Sequence, residues 1–225
     1  MKYDRTPHLC FSPSKTLDPD DKVLKNHDCF KGKKLIFTEK MDGENTCCSR
    51  DAIHARSCDG YGKSWQHYMK SLYACFSYLI PEGLTIYGEC VYAKHSICYE
   101  KLTTYFYVFA ALERGSWLSW SEVVLWARRL GLDTVPVITA GNLKEIPIPT
   151  KSAFGSVCEG YVVRNFDSFP KGEFGQNVAK SVRPHHVQTD EHWTKNWIPN
   201  PSPSEDPIER VGRLQQAFQS RQEGS

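Results

Sequence analysis

One short stretch decides how this chain is interpreted: Thr38-Glu39-Lys40-Met41-Asp42-Gly43-Glu44-Asn45. The residues before it, Lys34-Leu35-Ile36-Phe37, are typical of a strand, and the Asp42-Gly43 pair is typical of a tight turn. Lys40 therefore lies between a strand and a turn, a position from which its amine can point into a cleft. A Lys-x-Asp-Gly sequence is weak evidence by itself, so its meaning depends on the segments that follow.

Length and composition indicate one sizeable globular domain with at most a small appendage. The chain has 225 residues, of which 40% are apolar and 12% aromatic, and this excludes a disordered chain. The formal net charge is only +2. Bulk charge therefore does not indicate a nucleic-acid-binding protein, and any basic surface must be local.

The nine cysteines favour a reducing compartment. Their number is odd and they form no Cys-x-x-Cys pair, a pattern typical of free thiols rather than of disulfides or a zinc site. The N-terminus has no apolar signal segment, and no apolar run approaches the roughly 20 residues that span a bilayer. We therefore expect a cytoplasmic protein without a membrane partner.

The apolar patterns predict an α+β fold, with antiparallel sheets flanked by helices. Strands are predicted for residues 34–40, 46–56, 85–91, 104–112, 160–164 and 177–182. Helices are predicted for residues 65–79, 119–131 and 208–219. The second helix should begin after Ser119 or Ser121 and stop at Gly131. Residues 133–150 are expected to form a Pro-rich, β-leaning connector.

The C-terminal part is expected to be separate from the main domain. Residues 197–207 contain four prolines and predict a linker. The helix after it carries an apolar stripe, which must be buried on the domain, on a partner chain or on a second copy. The stripe consists of Ile208, Val211, Leu214 and Phe218. We expect one domain over residues 1–196, followed by the linker and amphipathic helix of residues 197–225.

Several further strand-borne segments follow the first stretch, and each places a charged or aromatic group at a strand end. They are His54-Ala55-Arg56-Ser57, Tyr87-Gly88-Glu89-Cys90-Val91-Tyr92, Phe106-Tyr107-Val108-Phe109-Ala110, Glu159-Gly160-Tyr161-Val162-Val163-Arg164 and Val178-Ala179-Lys180-Ser181-Val182-Arg183-Pro184. In this order and spacing they resemble the motifs of covalent nucleotidyltransferases, the superfamily of ATP-dependent ligases and mRNA capping enzymes. The resemblance runs from about residue 34 to residue 193 and implies an ATP-grasp-like ligase domain.

The chemistry of that superfamily explains why a lysine is needed. Its amine attacks the α-phosphorus of a nucleoside triphosphate and expels pyrophosphate, leaving a phosphoramidate. Only the neutral amine can attack, and with an ordinary pKa of about 10.4 roughly one lysine in 2,500 is neutral at pH 7. Burial and nearby positive charge must therefore lower that pKa. Lys180 and a bound Mg²⁺ are the expected sources of the charge.

The resemblance assigns a role to each matching position. These are Lys40 as nucleophile, Lys180 on the α-phosphate, Glu159 on the catalytic metal, Glu89 on the ribose hydroxyl, Phe109 on the base and Arg56 on the sugar–phosphate side. Many relatives carry two lysines spaced by one residue where this chain has Lys180 alone, and Arg183 is expected to supply the second cation.

Alternatives to these roles stay open. In the alternative interpretation, Glu89 and Glu159 are surface residues and Arg56 is a solvated residue at a strand end. Phe109 is alternatively part of the core, with Phe106 as its rival for the base.

Details of the sequence favour the RNA-ligase branch that resembles phage T4 RNA ligase 2. Asn45 stands where DNA ligases and capping enzymes usually have arginine, and Glu39 also matches the RNA-ligase branch. A carboxylate at Glu39 can accept from the adenine amino group, which favours ATP over GTP. After Lys180 only 225 minus 180, or 45, residues remain. An OB-fold needs roughly 80, so none is expected.

A histidine-rich segment follows Arg183 and contains His185, His186, His192 and Trp193. It either contacts the RNA ends through phosphate and base or closes the sheet as a purely structural segment. The residues leave both interpretations open.

Together these observations predict an ATP-dependent RNA ligase. It would adenylylate Lys40, transfer AMP to an RNA 5′-phosphate and seal that end to a 3′-hydroxyl, using Mg²⁺ or Mn²⁺. Its partner would be RNA, with a separate end-healing kinase or phosphatase as a candidate second partner. The rival hypotheses are a DNA nick ligase, another nucleotidyltransferase, and a catalytically inactive RNA-binding module.

Overall fold

Two sheets and three α-helices form the part of the chain that the computed structural model describes, which comprises residues 2–12, 21–56, 62–143, 148–184 and 196–223. The strands are β1 (Leu35–Glu39), β2 (Glu44–Cys48), β3 (Ile53–Ala55), β4 (Leu84–Cys90), β5 (Phe106–Glu113), β6 (Ser116–Trp117), β7 (Asp133–Thr134), β8 (Val137–Gly141), β9 (Gly160–Asn165), β10 (Phe169–Pro170) and β11 (Val178–Val182). The helices are α1 (His67–Ala74), α2 (Trp120–Arg129) and α3 (Pro207–Glu223).

The smaller sheet has the order β11-β9-β1-β8, and the larger sheet has the order β10-β6-β5-β4-β2-β3 with β7 beside β5. Neighbouring strands are antiparallel except β5 and β7. This confirms the predicted mixture of antiparallel sheets and flanking helices. Among the described residues, no helix has the length and apolarity needed to cross a bilayer.

Two predicted strand regions differ from the structure. Residues 46–56 form two strands, β2 and β3, because the polar Ser49-Arg50-Asp51 segment turns the chain and Ser49 N donates to Ala52 O at 2.9 Å. The predicted connector contains β8, which pairs with β1. Val137 at the start of β8 is 49% exposed, so this edge strand is only partly buried.

The helix predicted for residues 65–79 is shorter in the structure. Only His67–Ala74 is α-helical, with single 3-10 turns at Ser64–Gln66 and Ser77–Leu79. Phe76 lies between the end of α1 and the second 3-10 turn, and its φ of −133° departs from helical geometry. Its ring stacks on that of Phe106, with the ring centroids 6.3 Å apart. Tertiary packing of this ring therefore outweighs the helical periodicity.

The N-terminus of α2 is fixed by a capping box. Ser119 N donates to a carboxylate oxygen of Glu122 at 2.8 Å, and Glu122 N donates to the Ser119 hydroxyl at 3.3 Å. Ser119 rather than Ser121 is therefore the cap. At the other end, Gly131 adopts φ +72°, and a methyl group there would lie 2.5 Å from the Val211 carbonyl oxygen. Glycine is needed at this position for both reasons.

The helix α3 packs against α1 and α2 of this chain, and of its apolar stripe Val211 is buried whereas Ile208, Leu214 and Phe218 are half-buried. Val211 is 2% exposed and belongs to the main core. The Gln215 amide donates to Leu130 O at 3.0 Å and to Cys75 O at 3.1 Å, and Arg210 pairs with Asp133 at 3.0 Å.

The segment before α3 also bonds to the domain, because the buried Asn200 side chain donates to Val91 O at 2.8 Å and accepts from Tyr99 N at 3.0 Å. Residues that were expected to be a linker therefore make specific contacts.

The main core lies between the larger sheet and the helices. A second apolar cluster, which includes Leu35, Phe37 and Tyr161, packs on one face of the smaller sheet. A third joins Val178 of β11 to Tyr87 of β4, so the two sheets are packed together beside the cavity described next. The eight described cysteines are free thiols, and Cys58 lies outside the described residues.

Candidate active site

A cavity of about 490 Å³ is lined by both sheets and by the N-terminal segment, whose described residues are 2–12 and 21–24. It contains most of the residues selected from the sequence. These are Glu39, Lys40, Asn45, Arg56, Glu89, Phe109 and Lys180. The fold thus brings together positions up to 141 residues apart (Lys180 minus Glu39).

Lys40 contacts Glu159 through both carboxylate oxygens. Its ammonium nitrogen donates to Oε1 at 2.7 Å and to Oε2 at 2.6 Å. The antiparallel pairing of β1 with β9 produces this contact, since Lys40 directly follows β1, Glu159 directly precedes β9, and Lys40 N donates to Gly160 O at 2.9 Å. Glu159 is 3% exposed whereas the Lys40 side chain is 28% exposed, so the ion pair joins a buried carboxylate to a partly exposed amine.

Negative charge around Lys40 keeps its amine protonated in this structure. Burial lowers the pKa of Lys40, but nearby negative charge, chiefly that of Glu159, outweighs that effect, so the pKa is raised above its ordinary value. The sequence interpretation required a lowered pKa. The difference arises because carboxylates surround the amine, with Asp42 adding to them.

Glu89 lies in β4 opposite Asn45 of β2. One of its carboxylate oxygens accepts from Gly43 N at 3.1 Å. Burial raises the pKa of Glu89 to about 8, with Lys40 opposing and Glu159 adding to the increase. Gly43 must be glycine for this approach, because a methyl group there would overlap the Cys90 carbonyl oxygen.

Two of the residues selected from the sequence have a buried oxygen atom beside the cavity with no hydrogen-bond partner among the described residues. These atoms are Oε1 of Glu39, whose other oxygen accepts from Ala153 N at 3.0 Å, and Oδ1 of Asn45. Burial raises the pKa of the Glu39 carboxyl group. Unpartnered buried acceptors are costly, and both residues line the cavity, so a donor on a bound ligand would satisfy them.

The structure distinguishes between Phe106 and Phe109, the two candidates for contact with the base. Phe106 is fully buried in the main core and stacks on Phe76. Phe109 is half-buried, lines the cavity, and has its centroid 5.0 Å from that of Tyr3. Arg56 is exposed at the cavity end of β3. Of the two phenylalanines, only Phe109 is placed where a ligand can reach it.

The N-terminal segment holds Lys180 in place. Lys180 N donates to Pro7 O at 2.8 Å, and its carbonyl accepts from Leu9 N at 2.9 Å and from the Ser12 hydroxyl at 3.2 Å. Its ammonium nitrogen lies 3.6 Å from an oxygen of Asp21. Burial lowers the pKa of Lys180, and Asp21 opposes that effect. Both the backbone and the charge of Lys180 therefore depend on this segment.

Sequence reasoning missed several residues of this cavity. Tyr3, Asp21 and His95 line it. Asp42 does not line the cavity but lies next to Met41 and Gly43, which do, and it accepts from Ser96 N at 2.8 Å through one carboxylate oxygen. Asp42 stood in the quoted stretch, and the Asp-Gly turn was its only signal. Tyr3 and Asp21 come from a polar, turn-rich region whose sequence pattern gives no sign that it packs on β11.

Arg183 is not among the residues that line the cavity. It follows β11, its backbone N donates to Glu159 O at 2.9 Å, and its Nε and one terminal nitrogen are buried without a partner among the described residues. The expected contacts of His185, His186, His192 and Trp193 lie outside the described residues. In the described part of the chain, no group of three or more His, Cys, Asp or Glu side chains is arranged to hold a metal ion by itself.

Comparison with known proteins identifies the family and the fold of the chain. The chain matches the family model described as RNA ligase over residues 33–182, whereas a search of curated protein sequences gives no match. Solved structures of Naegleria gruberi RNA ligase share the fold. With PPi bound, that ligase has a TM-score of 0.57 and 18% identity over 83% of this chain. A variant with ATP and Mn has a TM-score of 0.55 and 17% identity over 82% of this chain.

This chain spans 62% of the length of each of those two structures. The low identities show a common fold and nothing more specific, whereas the family model covers two thirds of the chain. This chain belongs to the RNA ligase family.

Proposed function

We propose that this chain is an ATP-dependent RNA ligase that adenylylates Lys40, transfers AMP to an RNA 5′-phosphate and seals that end to a 3′-hydroxyl. The observation that carries the proposal is the ion pair of Lys40 with Glu159, beside a cavity that also contains Lys180. An amine at a strand end, next to a carboxylate that orients it and to a second cation, is suited to attack a phosphorus atom.

In the first step the Lys40 nitrogen bonds to the α-phosphorus of ATP, and the bond from that phosphorus to the bridging oxygen of pyrophosphate breaks. Because the Lys40 pKa is raised in this structure, loss of a proton is part of the step. Glu159, with oxygens 2.6 and 2.7 Å from the nitrogen, orients the amine, and the proton passes to solvent water. Lys180 would stabilise the negative charge that develops on the phosphate.

A divalent cation fits this donor set. Mg²⁺ is usually bound by one or two carboxylates together with substrate phosphates and water, so a cavity without a complete protein cage is compatible with it. Glu159 would hold the ion. When bound, Mg²⁺ or Mn²⁺ supplies positive charge next to the phosphate and the amine. The structure of the Naegleria ligase variant with ATP and Mn supports the choice of cofactors.

The base and sugar would be recognised by the remaining cavity residues. The unpartnered Oε1 of Glu39 is suited to accept from the adenine amino group, and Phe109 offers an aromatic face to the base. Glu89 would bond the ribose hydroxyl and Arg56 the sugar–phosphate side. We assign Arg183 as the second cation on the phosphates, reached after a change in its side-chain position, since it does not line the cavity here.

In the later steps, an oxygen of the RNA 5′-phosphate attacks the adenylyl phosphorus and Lys40 leaves. The 3′-hydroxyl then attacks the 5′-phosphate and AMP leaves. We further propose that residues 1–196 form the nucleotidyltransferase domain and residues 197–225 a stabilising tail. A cytoplasmic location is supported by the free cysteines, and an end-healing kinase or phosphatase would supply the correct RNA ends.

We also propose the branch that resembles T4 RNA ligase 2, which Glu39 and Asn45 support.

Incubation of the protein with labelled ATP or labelled GTP, followed by a denaturing gel, tests the proposal. A covalent AMP band supports the ligase and a GMP band a capping-type enzyme, whereas the absence of any band favours an inactive binding module. RNA and DNA substrates with defined ends, offered to the adenylylated protein, then distinguish RNA sealing from DNA sealing.

A further inference from the structure

A second groove opens beside the nucleotide cavity. It has a volume of about 680 Å³ and runs between the N-terminal segment and the 3-10 helix Lys171–Gln176. Asp4 and Arg5 line both the groove and the cavity. The two spaces therefore adjoin at these residues, and a ligand too long for the cavity can continue into the groove.

Both walls of the groove carry positive charge. Arg5 and Lys22 lie on the N-terminal wall and Lys171 on the opposite wall, whereas Asp4 is the one acidic residue among the described residues that line it. A methyl group added at Gly172 or Gly175 would meet no atom within 4 Å, so the groove is open above these glycines. This is a local basic surface on a chain whose net charge is only +2.

The groove begins on the phosphate side of the cavity. Arg5 lies 3.8 Å from Asp21, and Asp21 lies 3.6 Å from Lys180. Lys22, the residue after Asp21, faces the groove. The positively charged side chains of the groove thus begin near Lys180, the lysine assigned to the α-phosphate.

We propose that this groove binds the backbone phosphates of the RNA strand that brings its 5′-phosphate to the adenylylated lysine. The inference rests on the proposed function. That function requires a polynucleotide end to reach the phosphorus on Lys40, and the phosphates next along the strand need cations near the point of entry. Separated lysines and arginines on two walls suit a flexible, repeating polyanion better than a compact anion.

The test compares the double variant Lys22→Ala/Lys171→Ala with the wild type and with the charge-matched control Lys31→Ala/Lys70→Ala. The control lysines are exposed and lie outside both cavities. Three quantities are measured: formation of the protein–AMP adduct, the Kd for ATP, and the Kd for a 5′-phosphorylated single-stranded RNA over a range of salt concentrations.

We expect the groove variant to form the adduct within about twofold of the wild-type rate and to bind RNA about tenfold more weakly. The slope of log K against log salt should fall by about 1.4 for two lost contacts, whereas the control variant should match the wild type. RNA binding and sealing at wild-type levels in the groove variant would overturn the inference, as would a loss of ATP affinity equal to the loss of RNA affinity. The latter result would mean that the groove holds the triphosphate.

Failure of the proposed function would give a different result, because the wild type itself would then form no adduct. The RNA affinities of the wild type and of the groove variant would still differ if the groove binds RNA. Equal affinities would overturn the inference in that case too.

Discussion

The ammonium nitrogen of Lys180 lies 3.6 Å from an oxygen of Asp21, so a residue near the N-terminus contacts a cation on β11. The second Asp21 oxygen lies 3.3 Å from His8, a buried residue. His8 makes a parallel bridge to Lys180 on one side and to Val23 on the other, and these bridges extend the smaller sheet. The N-terminal segment is therefore part of the candidate active site, although the family model begins only at residue 33.

Asp21→Asn is expected to slow adduct formation about tenfold, because Lys180 would lose the carboxylate that orients it. The single-turnover rate and the KM for ATP would be measured separately, and Asp21→Glu should restore part of the rate. Asp28→Asn, which alters an exposed carboxylate paired with Lys31, is the control. An unchanged rate in Asp21→Asn would show that Lys180 does not need this partner.

Glu39→Ala is expected to weaken the use of ATP relative to GTP by about 1–3 kcal/mol, the usual cost of losing a buried hydrogen bond. The observation behind it is the buried, unpartnered Oε1 atom beside the cavity. The ratio of adduct formation with the two nucleotides measures the effect, and Glu82→Ala, an exposed site, is the control. The same ratio in Glu39→Ala as in the wild type would place base recognition elsewhere.

The stability of the ligand-free protein should fall as the pH rises from about 5 to about 8. Burial raises the pKa of Glu89 to about 8, so in this range the folded state holds a proton that the unfolded state has released. The stabilisation is complete below the ordinary carboxyl pKa and is lost as the pH passes the raised value. One proton changes the free energy of unfolding by at most about 1.4 kcal/mol per pH unit.

Denaturant unfolding at several pH values measures this dependence. Glu89→Gln should reduce the slope, whereas Glu82→Gln, whose carboxyl group is exposed, should leave it unchanged. The slope should not vanish in Glu89→Gln, because burial also raises the pKa values of Glu39 and Glu159. Equal slopes in the wild type and Glu89→Gln would contradict the assignment.

A chain cut after residue 196 should be less stable but should still form the adduct. The cut removes the buried Val211 and the Gln215 hydrogen bonds to Leu130 and Cys75, whereas the residues that line the cavity precede it. Circular dichroism melting gives the loss of stability, and adduct formation is measured well below the melting temperature. A folded truncated chain unable to take AMP would show that the tail completes the nucleotide site.

The sequence predicted the cavity residues on strands better than those outside them. Lys40, Glu89 and Lys180 lie on or beside strands whose apolar runs are visible, and antiparallel pairing then brings them together. For β8 the sequence predicted only a β-leaning connector over residues 133–150, because Val137–Gly141 is an edge strand with exposed residues in a Pro-rich region.

The N-terminal segment could not be predicted for a different reason. Its position depends on backbone hydrogen bonds between Pro7, Leu9 and Lys180, which join distant parts of the chain. Such bonds use groups that every residue carries, so no residue type reveals them. The charges around the Lys40 amine could not be predicted either, because the number of carboxylates near it depends on the tertiary fold.

The most direct test of the central claim is the mass of the intact protein after incubation with ATP and Mg²⁺, combined with peptide mapping. The wild type should gain one AMP, and mapping should place it on Lys40. Lys40→Arg should gain none because arginine stays protonated, and the exposed control Lys70→Arg should behave as the wild type. An AMP adduct on folded Lys40→Arg, or on another residue of the wild type, would contradict the account.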